Sequence, residues 1–363
     1  MIIGIPKETR PFEYRVGITP GSVQMLTKHG HQCFVEHDAG LGAGFSDQEF
    51  EHAGARIAYS AHEVFGRADL LLKVARPLLE EIEWLRPGTA LAGLLHIASA
   101  RRDKIDALLN HNITAIALEQ IQLSDGSVPV RRALAEIGGL MTPQIAARQL
   151  QNDAGGKGIL LGGVVGVPPA EVVIIGAGIV GSCATQAFLG MGAHVTLLDI
   201  NLNALQNNLD RFPSVVTMIS NPVNIARACT FADVIVGAVL VSGERAPVLV
   251  TREMVRSMKP RAIIMDLSID EGGCVETSRP TTHDHPTFVE EGVIHYCVPN
   301  IPGVVARTST HAYINSAMPF IQEIANFGVD TAISRNTAIA KGVETHNGEL
   351  VGLSLASSTG KEA

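Results

Sequence analysis

A glycine-rich turn between a short apolar run and a helical pattern constrains the fold of this chain more than any other feature. The apolar run, residues 172–175, is β-branched and is typical of a strand buried on both faces of a parallel sheet. Gly176, Gly178 and Gly181 follow at once, and a helical pattern starts at Ile179. This order is typical of a nucleotide-binding βαβ unit, in which the N-terminus of the helix faces a pyrophosphate.

Each glycine of this fingerprint has a separate task. Gly176 permits the tight turn, Gly178 lets the backbone approach a pyrophosphate, and Gly181 lets the helix pack closely against the strand. A second strand, residues 194–198, delivers Asp199 to a place where a carboxylate can accept hydrogen bonds from both hydroxyls of an adenosine ribose. A glycine-rich turn alone more often only joins two elements. Here the strand, the helix and the acid agree, so the segment predicts dinucleotide binding.

Composition limits the class of protein. A chain of 363 residues suits two domains, and 46% hydrophobic with only 18% charged residues indicates a large interior or a subunit interface, which predicts a homo-oligomer. The net charge of −8, without a basic cluster, argues against nucleic acid or an anionic membrane as partner. Five scattered cysteines without a C-x-x-C pair, and no signal peptide or apolar membrane span, are typical of a reduced, cytoplasmic protein.

The rest of the chain alternates short apolar runs with helical patterns, as open α/β sheets do. Two longer helical patterns, residues 134–151 and 305–327, connect these regions. We therefore predict an α/β protein with two doubly wound Rossmann-like domains joined by two long helices. The domains comprise residues 1–130 plus 306–363 and residues 131–305, and the polar tail from Ser357 is expected to be disordered.

Polar clusters outside the fingerprint suggest where a ligand binds. The loop after the first strand lies at the carboxyl end of that strand, where open α/β sheets place their ligands. It carries Lys7, Glu8, Arg10, Glu13 and Arg15. Two histidine-rich clusters, residues 29–31 and 283–285, lack further ligands at a recognisable spacing, so we expect surface loops there and no metal.

Ordered sequence blocks along nearly the whole chain carry a family resemblance. They include residues 4–9 (GIPKET), 13–16 (EYRV), 69–74 (DLLLKV), 95–96 (LH), 237–240 (GAVL), 269–274 (IDEGGC), 278–282 (SRPTT), 284–288 (DHPTF) and 308–310 (TST). With the fingerprint, these blocks resemble the alanine dehydrogenases and the soluble NAD-binding part of the nicotinamide nucleotide transhydrogenases. The resemblance implies a hexamer, a substrate domain in residues 1–130 plus 306–363, and an NAD-binding domain in residues 131–305.

The same resemblance implies roles for individual residues. Arg15 and Lys73 would bind the substrate carboxylate, His96 would be the acid/base, and Asp270 would assist proton transfer and position water. The implied contacts with NAD are Gly176, Ala177, Gly178, Ile179, Val180, Gly181, Asp199, Ser220, Val239, Leu240, Leu267, Ser268, Ile269, Asp270, Val298, Pro299, Asn300 and Ile301.

Residue chemistry agrees with these roles but leaves alternatives. An amino acid that loses a hydride needs a cation for its carboxylate and a base for its amine. Lys73 ends an apolar strand, where an unpaired ammonium is costly, which favours a functional role for this residue. Arg15, on a polar loop, is also consistent with a solvated charge, His96 about equally with a hydrogen-bonded core histidine, and Asp270 with a turn residue. The family position favours catalytic roles for His96 and Asp270.

Three departures from the family pattern bear on the substrate and the cofactor. Alanine dehydrogenases usually have Lys-Val-Lys-Glu-Pro where this chain has Lys73-Val74-Ala75-Arg76-Pro77. They have a serine that contacts the cofactor phosphates where this chain has Ala135, preceded by Arg131 and Arg132, which offer a replacement contact. They also have a basic residue where this chain has Ala204, and its absence beside Asp199 favours NAD over NADP.

Three functions therefore stay open. The first is an NAD-dependent conversion of L-alanine and water to pyruvate and ammonia. The second is a divergent member that acts on another amino or imino acid, which Arg76 and the Arg131-Arg132 pair favour. The third is a transhydrogenase-like NAD-binding subunit that docks on a partner. Against the third, the Arg-Ala-Gln-Ser-Met-Asp-like segment expected there is replaced by Arg-Ala-Leu-Ala-Glu at residues 132–136.

Overall fold

The chain divides into two compact units in a computed structural model that describes residues 1–97, 100–240 and 245–351. Unit 1 comprises Met1–Leu134 and Gly303–Ala363, and unit 2 comprises Ala135–Pro302. The tail from Ser357, predicted to be disordered, lies outside the described residues. Within those residues, the helices are too short or too polar to cross a membrane.

The strands follow the apolar runs of the sequence. In chain order they are β1 (Ile2–Ile5), β2 (Gln32–Glu36), β3 (Arg56–Ala58), β4 (Leu70–Ala75), β5 (Ala90–Leu94), β6 (Thr114–Ala117), β7 (Glu171–Ile175), β8 (His194–Asp199), β9 (Val216–Ile219), β10 (Val234–Gly237), β11 (Ile263–Asp266), β12 (Thr287–Glu290), β13 (Val293–Tyr296), β14 (Val343–His346) and β15 (Glu349–Leu350).

Helices alternate with most of these strands. They are α1 (Pro20–Lys28), α2 (Asp47–His52), α3 (Ala61–Arg67), α4 (Leu79–Glu83), α5 (Arg102–Asn110), α6 (Pro129–Gln149), α7 (Ile179–Gly190), α8 (Leu202–Arg211), α9 (Pro222–Phe231), α10 (Arg252–Arg256), α11 (Ala306–Phe327), α12 (Val329–Arg335) and α13 (Thr337–Gly342).

The sheet of unit 1 has the order β15-β14-β6-β5-β4-β1-β2-β3 in the described part of the chain. Its strands from β6 to β3 in this order are parallel, whereas β14 is antiparallel to β6 and β15 is antiparallel to β14. The central strands β4 and β5 are buried along almost their whole length, as expected for apolar runs covered on both faces. The carboxyl ends of β1, β4, β5 and β6 therefore lie along one edge of this sheet.

The sheet of unit 2 has the order β12-β13-β11-β10-β7-β8-β9. All of these strands are parallel except β12, which forms an antiparallel hairpin with β13. The order reverses at β7, where the chain turns from one side of the sheet to the other. Such a switch point is where doubly wound sheets bind ligands.

The predicted fold class, two Rossmann-like α/β domains, is confirmed. The long helix α6 begins at Pro129, five residues before the predicted start, and it runs across the division between the units. The second long helix, α11, lies within unit 1. The antiparallel edge strands β12, β14 and β15 and the helix α8 were not predicted.

Candidate active site

The predicted cofactor residues of unit 2 follow the carboxyl ends of six adjacent parallel strands among the described residues. Residues 176–181 follow β7, Asp199 ends β8, Ser220 follows β9, residues 239–240 follow β10, residues 267–270 follow β11, and residues 298–301 follow β13. Parallel strands bring such residues to one edge even when they are far apart in sequence. The structure thus places the whole predicted set along one edge of one sheet.

The fingerprint turn has the close packing that only glycine allows. Gly176 has φ +109°, and a Cβ there would lie 2.3 Å from the carbonyl oxygen of Ala238. A Cβ on Gly181 would lie 1.7 Å from the carbonyl oxygen of Gly176. A Cβ on Gly178, by contrast, would meet no atom within 4 Å. Gly176 and Gly181 are therefore required by the fold, whereas the space beside Gly178 is open.

The N-terminus of α7 differs from the other helix starts of unit 2. Asn201, Asn221 and Thr251 cap α8, α9 and α10 by accepting hydrogen bonds from backbone N–H groups. Gly178, the N-cap of α7, provides no such side-chain bond. The first N–H groups of α7 therefore suit an anion, as the pyrophosphate of a dinucleotide requires.

Asp199 is already hydrogen-bonded to the fingerprint. Its Oδ2 accepts from the N–H of Ala177 at 2.6 Å, and its Oδ1 accepts from the N–H of Asn201 at 2.8 Å. The N–H of Ser220 donates to the carbonyl oxygen of Asp199 at 2.9 Å. Each carboxylate oxygen has a second lone pair, so these bonds orient the carboxylate and leave it able to accept from ribose hydroxyls.

The loop that carries Asp270 is folded around a buried acid, Asp266. Its carboxylate accepts hydrogen bonds from the backbone N–H groups of Ser268, Cys274 and Val275 at 3.0 to 3.2 Å. Ser268 Oγ in turn accepts from the N–H of Val239 at 2.9 Å. Asp266 thus holds the loop after β11, and Ser268 links this loop to the loop after β10. Asp270 is exposed at the tip of the loop after β11.

The backbone N–H of Asn300 contacts the carboxylate of Asp270 within unit 2. The N–H of Asn300 lies 3.5 Å from Oδ2 of Asp270, and Asn300 has φ +53°, a conformation that side chains rarely adopt. Residues held in this region are enriched at functional sites. The structure therefore brings together two residues that the family resemblance assigns to NAD binding.

The predicted substrate residues of unit 1 come from three adjacent strands. Arg15 lies on the segment after β1, Lys73 lies near the end of β4, and His96 follows β5. Arg15 is 3% exposed and makes a two-point ion pair with Glu13, with Nε–Oε1 at 2.6 Å and Nη2–Oε2 at 2.5 Å. The reading of Arg15 as a solvated charge is thus wrong.

Lys73 lies between two buried glutamates. Its Nζ is 3.3 Å from Glu8 Oε2 and 3.2 Å from Glu81 Oε1, and all three side chains are at most 4% exposed. Burial raises the pKa of Glu8, although the Lys73 charge acts in the opposite direction. The cost of an unpaired ammonium at this position is therefore offset within the protein, which itself supplies the carboxylates, and the role of Lys73 in substrate binding stays a prediction.

His96 is the most accessible of the predicted substrate residues. Its side chain is 52% exposed, and its backbone has φ +43°. The buried Glu119, two residues after the end of β6, accepts the N–H of His96 at 2.7 Å and that of Leu95 at 3.2 Å. The reading of His96 as a core histidine is wrong, since a half-exposed ring on a strained loop suits an acid/base group better.

Sequence reasoning gave no role to the acids that surround these residues. Glu13, Glu81 and Glu119 each bind a predicted substrate residue or its loop. Glu119 follows a predicted strand directly, as functional acids of parallel sheets often do, so its position was a usable signal.

Neither histidine-rich cluster forms a group of metal donors among the described residues.

Two family models together match nearly the whole chain. The Alanine dehydrogenase/PNT N-terminal domain matches residues 4–138, and the Alanine dehydrogenase/PNT C-terminal domain matches residues 142–352. The alanine dehydrogenase of Methanococcus maripaludis is 48% identical over 352 residues, which cover 96% of this chain and 94% of that protein. The resemblance inferred from the sequence blocks is thus confirmed.

Solved structures agree with this assignment. An L-alanine dehydrogenase superposes with a TM-score of 0.94 at 41% identity and covers 98% of both chains. A transhydrogenase from Sinorhizobium meliloti superposes with a TM-score of 0.83 at 26% identity, covering 97% of this chain and 99% of that one. The chain therefore belongs to the alanine dehydrogenase/PNT family.

Proposed function

We propose that the chain is an NAD-dependent L-alanine dehydrogenase, which converts L-alanine and water reversibly to pyruvate and ammonia. The observation that carries the proposal is the edge of unit 1, where three adjacent strands lead to the buried, ion-paired Arg15 and Lys73 and to the exposed His96. Residues 1–134 and 303–363 are then the substrate domain, and residues 135–302 bind the cofactor.

The side chains divide the reaction by their chemistry. Arg15 and Lys73 hold the substrate carboxylate, and His96 takes the proton that keeps the amine neutral. Asp270 positions the water that attacks the iminium carbon. Bound NAD supplies the hydride acceptor. The uncapped start of α7 would hold its pyrophosphate, and Asp199 its ribose.

Purified chain alone tests this function. Reduction of NAD on addition of L-alanine, with release of ammonia, is the expected result. No reduction with any amino acid, together with NAD binding of normal affinity, would instead support the NAD-binding subunit that docks on a partner.

We predict that Asp199 makes the enzyme selective for NAD. A 2′-phosphate would face the Asp199 carboxylate, and Ala204 offers no cation to offset the repulsion. We expect kcat/KM for NAD to exceed that for NADP by at least about 100-fold, because loss of one charged contact is worth several kcal/mol. Steady-state kinetics with both cofactors measure this ratio, and equal use of the two would disprove the prediction.

A specific group of cations favours a second candidate, an enzyme for an amino acid with an acidic side chain. Arg10 Nε donates to the carbonyl oxygen of Arg76 at 3.1 Å, and Lys104 Nζ donates to that of Pro77 at 3.0 Å. Burial, then the Arg76 charge, lowers the pKa of Arg10; burial, Arg10 and Arg76 lower that of Lys104. Three cations therefore lie close together after β4, where a second carboxylate would be stabilised.

A panel of amino acids separates the two candidates. If the cations bind substrate, L-aspartate or L-glutamate is oxidised, and Arg76→Met lowers its kcat/KM about tenfold or more relative to L-alanine. Arg102→Met is the matched control, because Arg102 is exposed and pairs with Asp106. Use of L-alanine alone by the wild-type chain would exclude the second candidate.

We also propose that the enzyme is a cytoplasmic homo-oligomer, a hexamer by its family resemblance. The low charged fraction of 18% supports this, since little of the surface can be solvated by charge. Sedimentation velocity at micromolar concentration tests it, and a stable monomer would contradict it.

A further inference from the structure

The loop that carries His96 is held by two buried carboxyl groups. The N–H groups of Leu95 and His96 donate to Glu119, and the N–H of Ile97 donates to Glu344. Both acids are at most 5% exposed. Three consecutive N–H groups bound to two acids fix the backbone of this segment, which includes the strained φ of +43° at His96.

The sheet order brings the two acids together. Glu119 lies two residues after the end of β6, and Glu344 lies on β14, which is antiparallel to β6 with Val343 opposite Ile116 and Thr345 opposite Ala115. Oε2 of Glu344 makes no hydrogen bond within the described part of the chain. Burial, followed by the charge of Glu119, raises the pKa of Glu344 to about 8, so its carboxyl group is mostly protonated at neutral pH.

Other titratable groups on the elements around β14 are bound elsewhere. Those elements are β6, β15, α5 and α13. On α5, Arg102 pairs with Asp106, Asp103 pairs with Arg101, and Lys104 donates to the Pro77 carbonyl. On α13, Lys341 donates to Gln122, and on β14 itself His346 contacts Thr114 and Asp330. Glu349 on β15 is exposed. Glu119 is therefore the charged group that acts on Glu344.

We propose that Glu344 is a positioning residue for His96, which acts through the Leu95–Ile97 segment and through Glu119, and that loss of the Glu344 proton disturbs this positioning. Glu119 Oε1 lies 3.8 Å from Nδ1 of His96. When Glu344 loses its proton, its negative charge repels Glu119, which accepts the N–H groups of Leu95 and His96. Because Glu119 and Glu344 together hold this segment, their repulsion displaces the loop and moves the ring out of the position that proton transfer needs. The inference rests on the proposed acid/base role of His96.

Two variants of Glu344 separate the effect of its ionisation from the effect of its hydrogen bond to the Ile97 N–H. E344Q keeps an oxygen that can accept the Ile97 N–H but cannot ionise, whereas E344A removes the acceptor. We expect E344Q to keep kcat for L-alanine within about threefold at pH 7, and the ratio of its kcat to that of the wild type to rise about threefold or more between pH 7 and pH 9. We expect E344A to lower kcat about tenfold at every pH because the segment loosens, with KM for NAD unchanged. E349Q, on the neighbouring strand, is the control and should change neither.

Thermal unfolding provides a readout that is independent of activity. A carboxyl whose pKa is raised from 4.5 to about 8 binds its proton more tightly in the folded state, so it makes stability fall as pH rises across this range. Between pH 5 and pH 8 the Tm of E344Q should therefore fall less than that of the wild type.

The outcomes distinguish the inference from the function on which it rests. If a His96 variant keeps normal turnover, the proposed role of His96 fails. If His96 is required but E344Q matches the wild type in both the pH profile of kcat and the pH dependence of Tm, the positioning role of Glu344 is overturned. A uniform loss of kcat in E344Q at every pH would also overturn it, because that is the effect of a merely structural residue.

Discussion

Replacement of His96 by asparagine is expected to lower kcat for L-alanine by about 10²- to 10⁴-fold, the usual contribution of a positioned acid/base group. Asparagine suits this test because it tolerates the positive φ that the structure has at this position. The side chain is 52% exposed, so its loss should leave the free energy of unfolding nearly unchanged. Steady-state kinetics and urea unfolding together measure both effects.

The control for this variant is His52→Ala, which removes an exposed histidine on α2 of the same unit. We expect no change in kcat from it. Affinity for NAD, measured by fluorescence titration, should stay close to the wild-type value in the His96 variant, because His96 lies in unit 1 and the predicted cofactor residues lie in unit 2. Turnover near normal, with an unaltered pH dependence, would move the proton role to another group, Asp270 first.

Lys73→Met is expected to destabilise the fold by about 3 to 5 kcal/mol, because it leaves two buried carboxylates without their shared cation. Glu8 and Glu81 lie 3.3 and 3.2 Å from Nζ, and neither side chain is more than 4% exposed. Lys28→Met, at an exposed position at the end of α1, should have almost no effect. Urea unfolding of both variants measures the difference.

A second substitution tests the cause of this loss. Addition of Glu81→Gln to Lys73→Met removes one of the unpaired charges, so the double variant should recover part of the lost stability. If the Lys73 variant were instead as stable as the wild type and only bound L-alanine more weakly, the cation would serve the substrate and not the fold. The two measurements thus separate a role of Lys73 in the stability of the fold from a role in substrate binding.

The local parts of this fold were readable from sequence because each depends on neighbours in the chain. The fingerprint needs a β-branched strand, three spaced glycines and an acid, and all lie within residues 171–199. The carboxyl edge then follows from the topology, since every parallel strand ends there. In the structure Ser220 and Asn300, which are far apart in sequence, accordingly follow strands that end at one edge of one sheet.

Charge pairing and edge strands were not readable in the same way. Nothing in the sequence near Lys73 shows that Glu8, 65 positions earlier, and Glu81 both contact its ammonium group, so the cost of an unpaired lysine was taken as a sign of function. The strand β14 has the polar sequence Val-Glu-Thr-His, which lacks the apolar alternation expected of a strand. Its existence depends on the free edge of β6, and that information is not local.

The return of the chain to unit 1 has a consequence for biosynthesis. Unit 2 is a continuous segment, Ala135–Pro302, whereas unit 1 needs residues from both sides of it. On the ribosome, unit 2 can fold as soon as it emerges, while the first part of unit 1 waits with the edge of β6 uncovered until β14 is made. An unpaired edge of this kind recruits other strands, so the waiting half is the part of the nascent protein most in need of a chaperone.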